Sequence, residues 1–331
     1  MKRTIGFLIS LIMLVSLLTG CNGAVTNNNT AGSESSPPAG KSESPNDRGA
    51  WPRTFVDFAG NKVVIEKKPE KIASLWYSYP EFLVPLEEIP IASTEGKFLA
   101  SLAYLKDIEA MKSVAELGDK LSPNIEKIVE LDPDIIFATV NHEAIYDSLV
   151  KIAPVIVLDR EGFYADWRVG VRTFGEILGK EKEAENIIND ITTQISNGRD
   201  TLKSVEGETV ALIKTWDGKS YHVESPSDPS YIYTFDKELG LGLTPDPAFL
   251  EMAGQNVSME GLSNINADHI FLEADISLSQ SILDGLNNNS VWNSLNAVKK
   301  GNVHFLDISA VTGGPLATKY GVKSIIDALS K

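Results

Sequence analysis

Two glutamates stand at the head of the same twelve-residue pattern. Glu126 opens EKIVELDPDIIF and Glu260 opens EGLSNINADHIF, and the two windows align without a gap. Apolar residues match at the third and sixth positions (Ile128 and Leu131; Leu262 and Ile265), then Asp134 matches Asp268, then an apolar Ile-Phe ending. Each window reads as a short helix with one apolar side, followed by a buried strand. The repeat therefore places one carboxylate at an equivalent point on each of two similar halves. A partner that touches both halves at once could be held by such a pair.

A second group of residues follows the segments that read as strands. Trp76 and Tyr77 follow KIASL, Lys97 follows IPIAST, and Asn141 and His142 follow DIIFAT. Arg160 follows PVIVLD, and Trp216 and Tyr221 follow VALIK. Aromatic rings supply contact area, and a few Arg, Lys, Tyr or Asn groups orient oxygens on a bound molecule. This mixture suits binding. Catalytic patterns are missing: HEAIY at His142 lacks the second His of HExxH, and GLGL at Gly240 lacks a third glycine and a strand-to-helix setting. No GxSxG or Walker motif occurs, so no catalytic residue is expected. The four histidines, His142, His222, His269 and His304, are dispersed, so no protein-held metal is expected either.

The elements that must position these residues alternate. TFVDFAGNKVVIEKKPEKIASL reads as a hairpin turning at Gly60-Asn61, then a strand over Lys71 to Leu75. A short helix is predicted over Glu81 to Glu88 and a strand at IPIAST. A further helix would be capped by Ser122 with Pro123 at its first position. The strand DIIFAT, helical residues Ala144 to Ile152 and the strand PVIVLD complete a first α/β half. Trp167, Val171, Phe174, Ile177 and Leu178 recur at helical spacing, Gly179-Lys180 interrupts, and Ala184 to Ile195 continue as a second amphipathic helix. The second half repeats the α/β pattern and closes on the amphipathic TGGPLATKYGVKSIIDAL. Apolar strands alternating with helices predict parallel, doubly wound sheets. Ligands in such sheets bind beyond the carboxyl ends of the strands.

The first residues set the compartment. Lys2 and Arg3 precede an apolar run from Ile5 to Leu18, and LLTGC follows. This is a lipoprotein signal peptide over 1–20 with Cys21, the only Cys of the chain, as the acylated residue. The polar stretch that follows, rich in Asn, Ser, Gly and Pro, is a tether over 21–52 that buries too little to fold. Lipid on Cys21 would hold the protein at an extracytoplasmic membrane face. Formal net charge is −15, which argues against nucleic acid as a partner.

Several stretches together carry a family resemblance covering roughly Phe55 to Leu329: PEKIASL, SPNIEKIVELDPDIIFA, SMEGLSNINADHIFL, VWNSLNAVKKGNVHFLD and the GGPLA ending. The chain resembles the class III substrate-binding lipoproteins of ABC importers, which deliver ferric siderophores, haem and cobalamin. The resemblance implies two doubly wound α/β lobes with a ligand cleft between them, joined by a single long connecting helix: an N-terminal lobe over 53–163, the connecting helix over 164–187 and a C-terminal lobe over 188–331. It implies no enzymatic activity and no cofactor, since iron arrives held by the siderophore. It further implies docking on an ABC permease through Glu126 and Glu260, each meeting Arg residues of the membrane partner. Scattered basic residues near the strand ends favour a ferric hydroxamate or citrate-hydroxamate siderophore over a triscatecholate. Haem or cobalamin is the alternative ligand, with His142 and His222 near strand ends; an anchored enzyme or a sensor is a more distant one. A monomer is expected.

Overall fold

The structure, a computed structural model, describes residues 51–330. The signal peptide, Cys21 and almost all of the tether lie outside the described residues. β1 (Arg53–Val56) and β2 (Lys62–Ile65) pair as an antiparallel hairpin. Asp57 fixes its turn by accepting from Asn61 N at 2.7 Å, and the same carboxylate accepts from Val157 N at 3.0 Å, which ties the hairpin to the first lobe.

The N-terminal sheet contains β3 (Ile72–Ser74), β4 (Ala92–Ser93), β5 (Ala115–Glu116), β6 (Ile135–Ala138) and β7 (Val155–Val157), in the order β5-β4-β3-β6-β7. All neighbours are parallel. β3, β6 and β7 are buried at every position, as strands covered by helices on both faces must be.

The C-terminal sheet contains β8 (Thr209–Thr215), β9 (Tyr221–Val223), β10 (Thr244–Pro245), β11 (Asn256–Val257), β12 (His269–Ala274) and β13 (Val303–Asp307). Its order is β11-β9-β8-β12-β13, with β10 also on β8. β8, β12 and β13 are parallel, whereas β9 runs back against β8 and β11 against β9. A purely parallel second half is thus corrected to a mixed sheet. The cause is the turn after Trp216: Asp217 Oδ1 accepts from Lys219 N (2.9 Å) and Ser220 N (3.0 Å), and Gly218 takes a left-handed φ of 71°. Asp-Gly is a hairpin signal, and the chain folds straight back instead of crossing over through a helix.

The two repeated windows form equivalent units. Helix Ile125–Leu131 leads into β6, and helix Met259–Leu262 leads into β12. The cap of the first is Asn124, not Ser122: its side chain accepts from Lys127 N at 2.9 Å, and Pro123 precedes the helix. Ser258 caps the second by accepting from Gly261 N.

The helical stretch between the halves is not one helix over 164–187. It comprises Arg160–Ala165, Trp167–Leu178 and Glu181–Thr201, the last two separated at Gly179, whose φ of 70° ends the preceding helix. Helix Trp167–Leu178 belongs to the first lobe's core, where Phe174 packs with Phe82, Phe137 and Phe163. Helix Glu181–Thr201 does the spanning, with a length of about 30 Å. At its start Arg53 pairs with Glu181 at 2.7 Å, and Lys180 pairs with Glu88 at 3.0 Å. At its far end Gly198 lies against Leu241 and Ile326, and Arg199 Nε donates to the Gly240 carbonyl at 2.8 Å. The last helix, Pro315–Leu329, packs along it. Among the described residues no helix is long and apolar enough to cross a membrane.

Candidate functional site

The carboxyl end of β3 delivers Trp76 and Tyr77. Trp76 is 3 % exposed, and its indole N–H donates to the Tyr164 hydroxyl at 3.0 Å. Arg160 begins the helix after β7, whose cap Asp159 accepts from Gly162 N. Its guanidinium lies 4.6 Å from the Trp76 ring centroid and 5.6 Å from that of Tyr164, and it pairs with Glu161. Lys120, in the loop after β5, holds its ammonium 5.2 Å from the Tyr77 ring, while Phe98 meets Tyr77 edge-on at 5.4 Å. Two cations over three rings, with Glu161 beside Arg160 and Glu95 beside Lys120, form a cation-bearing aromatic shelf that offers fixed donors and flat apolar area to a ligand.

His142 supports this shelf from beneath. It is buried, with Nδ1 accepting from Thr139 N at 3.0 Å and Nε2 3.0 Å or less from a second partner, the Lys120 carbonyl at 2.8 Å. Burial holds its pKa below the ordinary imidazole value, so the ring is neutral and donates through Nε2. Both nitrogens are spent inside the protein. His142 therefore positions the Lys120 loop and faces no ligand, which removes it as an axial group for haem. Lys97 and Asn141 are exposed, Lys97 on the helix Gly96–Ser101 and Asn141 in the turn after β6.

In the C-terminal lobe β8 ends at Thr215, and Trp216 beyond it is 59 % exposed. The Lys214 ammonium lies 5.6 Å from the Trp216 ring and pairs with Glu273 at 2.5 Å. Register explains the contact: His222 on β9, Lys214 on β8 and Glu273 on β12 are direct cross-strand partners. Such partners project from the same face of a sheet. Tyr231 donates its hydroxyl to Glu273, and burial followed by the Glu273 charge pushes the Tyr231 pKa far up. Tyr221, expected as a ligand contact, is buried within β9 and donates its hydroxyl to the Gly218 carbonyl at 2.5 Å. It closes the Asp217-Gly218 turn instead.

The two lobes meet along residues 309–317. Ser309 Oγ accepts from Ala103 N at 2.8 Å, and the Tyr104 and Thr312 hydroxyls lie 2.8 Å apart. Gly313 adopts a φ of 81° against the Tyr164 ring, and a side chain at Gly314 would overlap the Glu81 carboxylate. Glu81 is fully buried and accepts from Ala317 N at 3.1 Å, at the start of the last helix. Burial pushes its pKa up to about 7, despite hydrogen bonds from Thr312, Ala317 and Tyr104. The sequence reading missed Glu81, Lys120 and Glu273. Glu273 left a signal, an acid near the end of an otherwise apolar strand; Lys120 sits in a loop whose course no local pattern specifies.

Glu126 and Glu260 are both exposed and both occupy the first turn of their helices. Ser258 donates to the Glu260 carboxylate at 2.8 Å, which holds that carboxyl below its ordinary range. Among the described residues no three His, Cys, Asp or Glu groups converge to hold a metal ion.

Two α/β lobes, spanned by one long helix and presenting aromatic and cationic residues at their strand ends, are the construction of a two-lobed solute-binding protein. The profile of the periplasmic binding protein family matches residues 72–310, and the chain belongs to that family. It is 26 % identical to the probable siderophore-binding lipoprotein YfiY of Bacillus subtilis, covering 97 % of this chain and 96 % of the relative. It is 26 % identical to the iron(3+)-hydroxamate-binding protein FhuD of the same organism, again over 97 % and 96 %. The crystal structure of the iron-uptake system-binding protein FeuA from Bacillus subtilis superposes with a TM-score of 0.69 at 24 % identity, covering 84 % of this chain and all of that one. The fold is therefore the class III periplasmic binding fold, and the family is one of binding proteins.

Proposed function

We propose that the protein captures a ferric siderophore outside the cytoplasm and hands it to an ABC permease. The observation that carries this reading is the shelf of Trp76, Tyr77 and Tyr164 beneath Arg160 and Lys120, set at the carboxyl ends of the N-terminal strands. A ferric siderophore is bulky and partly apolar, with oxygens around the metal. Rings supply area to such a ligand, and fixed cations orient its oxygens. Trp216 and Lys214 supply the opposite wall, and Lys97 and Asn141 stand at the exposed margin. The iron is cargo held by the siderophore, so no protein ligand to the metal and no cofactor are needed. A hydroxamate or citrate-hydroxamate complex fits best, because Arg160 and Lys120 each stand beside an acid and leave little net positive charge for a trianionic complex. The relatives named for siderophores and hydroxamates support the same class.

The domain reading follows the helices: an N-terminal lobe up to Leu178, the helix Glu181–Thr201 as strut, and a C-terminal lobe from there on. A single continuous strut resists bending, so capture involves small movements of the lobes. Lipid on Cys21 is the membrane attachment, Glu126 and Glu260 are the permease contacts, and the protein acts as a monomer without enzymatic activity.

Tryptophan fluorescence of the intact chain, titrated with ferric hydroxamate, ferric citrate-hydroxamate, ferric triscatecholate, haem and cobalamin, tests the ligand class. Quenching that saturates with the first or second alone is expected. Saturation only with haem or cobalamin, or with none of the five, would overturn the siderophore reading.

A further inference from the structure

The two walls of the candidate site differ in charge balance: acids match cations one for one on the N-terminal wall and outnumber them on the C-terminal wall. On the N-terminal wall Arg160 and Lys120 lie over aromatic rings, and their acidic neighbours Glu161 and Glu95 contact them from the side. On the C-terminal wall the only cation in the cross-strand row, Lys214, is bound to Glu273 at 2.5 Å and is neutralised by it. A second carboxylate stands beside this pair. Glu224 lies two residues beyond His222 on the same strand edge and is 6 % exposed, with its carboxylate 4.0 Å from His222 Nε2. Alternation along an extended strand keeps the side chains of residues i and i+2 on one face. Glu224 and Glu273 thus project from the same sheet face as Lys214, and together they exceed its charge. Burial, reinforced by the Glu273 charge, pushes the Glu224 pKa up, in keeping with two acids sharing one cation in a water-poor place.

The loop after Glu224 brings this cluster to the other lobe. Tyr231, which donates to Glu273, ends a turn over Pro229–Tyr231 that packs against the helix Arg160–Ala165. The acidic cluster and the Arg160 shelf are therefore linked through one short contact, and on the reading above they form the two sides of a single site. Resting on the ferric siderophore reading above, we propose that Glu224 and Glu273 are specificity determinants: they reject complexes that carry negative charge on every side, and they admit complexes that turn an uncharged or cationic surface to the C-terminal wall. A ferric triscatecholate, trianionic and charged throughout, would lie within the field of two buried carboxylates there, offset by Lys214 alone. A neutral or monocationic ferric trihydroxamate does not. Like charges brought together in a partly desolvated site repel by amounts that separate affinities tenfold or more.

The test is a ratio. The intact chain and three variants, Glu224→Gln, Glu273→Gln and Lys214→Gln, are titrated by fluorescence with a monocationic ferric trihydroxamate (ferrioxamine B), a neutral one (ferrichrome) and a trianionic ferric triscatecholate. The unaltered protein is expected to bind the trihydroxamates at least about tenfold more tightly than the triscatecholate. Glu273→Gln also frees Lys214, so it should move the ratio about tenfold or more toward the triscatecholate, Glu224→Gln should move it less in the same direction, and Lys214→Gln should move it the opposite way. A ratio unmoved by Glu224→Gln in protein whose melting is cooperative would overturn the proposal even if Glu273→Gln fails to fold. So would an unaltered protein that prefers the triscatecholate. Binding of no ferric complex at all would instead overturn the siderophore reading itself, which keeps the two failures apart.

Discussion

Asp134 in one lobe and Asp268 in the other make the same bond. Asp134 Oδ2 accepts from Lys71 N at 3.1 Å, at the start of β3, and Asp268 Oδ2 accepts from Thr209 N at 2.9 Å, at the start of β8. Each returns its own backbone N–H to the carbonyl of that residue, at 2.8 Å and 3.0 Å. The aspartate of the repeat thus clips together the two central strands of its sheet, while the glutamate eight residues earlier stays exposed. One repeat carries a structural acid and an exposed one.

Asp268 is the better test of the clip because Lys300, at 2.7 Å, joins it. The Lys300 hydrogen bond, followed by the backbone of Thr209, holds its carboxyl far below the ordinary range. A depressed carboxyl contributes stability above its unfolded value and loses that contribution as pH falls. Asp268→Asn is therefore expected to cost about 1–2 kcal/mol at neutral pH, with the gap to the unaltered protein closing below about pH 4. Urea unfolding at pH 7 and pH 2 measures this; a gap that is constant with pH would show that charge has no part in the clip.

Glu81 gives the opposite dependence. Its folded value of about 7 lies above its ordinary value of 4.5, so the folded protein binds the extra proton between the two. Stability from this group is complete below about pH 4.5 and declines as pH rises through 7. Glu81→Gln is expected to remove that decline. The stability of the unaltered protein relative to Glu81→Gln should fall between pH 5 and pH 8 by up to roughly 3 kcal/mol. Parallel melting profiles across that range would rule out titration of Glu81 at the junction of the lobes.

Local patterns made much of this fold legible. The apolar runs of β3, β6, β7, β8 and β12 stand where the alternation of apolar segments places them, because buried parallel strands have little choice of residue. The repeat led to the matched helices before β6 and β12. Other features depend on partners distant in sequence. No local pattern says that helix Trp167–Leu178 will join the Phe82 and Phe137 cluster, leaving Glu181–Thr201 to span the lobes. The Asp217-Gly218 turn was readable as a hairpin, but the expectation of alternating α/β units masked it. In the candidate site, Trp76, Tyr77, Arg160 and Trp216 stand directly after strands, where the alternation of elements put them. His142 and Tyr221 have the right types and neighbourhood, yet their polar atoms are spent on Lys120 and Gly218. Only the register of β8 against β12 brings Lys214 against Glu273.

Trp216 and Trp76 should respond differently to truncation. Trp216 is 59 % exposed, so Trp216→Ala is expected to change stability by no more than about 0.5 kcal/mol while weakening ligand binding about tenfold. Trp76 is 3 % exposed and bonded to Tyr164, so Trp76→Ala is expected to cost about 3–5 kcal/mol in stability in addition to affinity. Melting and fluorescence titration of both variants separate the two effects. Unchanged affinity in Trp216→Ala would make that ring a bystander.

Glu126 and Glu260 make the permease assignment testable without touching the ligand shelf. Each is exposed in the first turn of a short helix, and neither helix contributes a residue to the aromatic walls. A carboxylate at such a place is free to form a bidentate contact with a guanidinium on a partner. The two lie on different lobes of a protein whose lobes are linked by one long helix, so both contacts can form together only when the lobes stand at the right separation. If the pair anchors the permease as proposed, it also reports lobe closure. Glu126→Ala with Glu260→Ala is expected to leave siderophore affinity and melting temperature in place and to abolish uptake of radiolabelled iron by cells that lack the unaltered protein. Each single variant should reduce uptake partially, since one contact still holds, and Glu126→Asp should lose less than Glu126→Ala because it keeps the charge. Full uptake by the double variant would mean that the permease reads other parts of the surface.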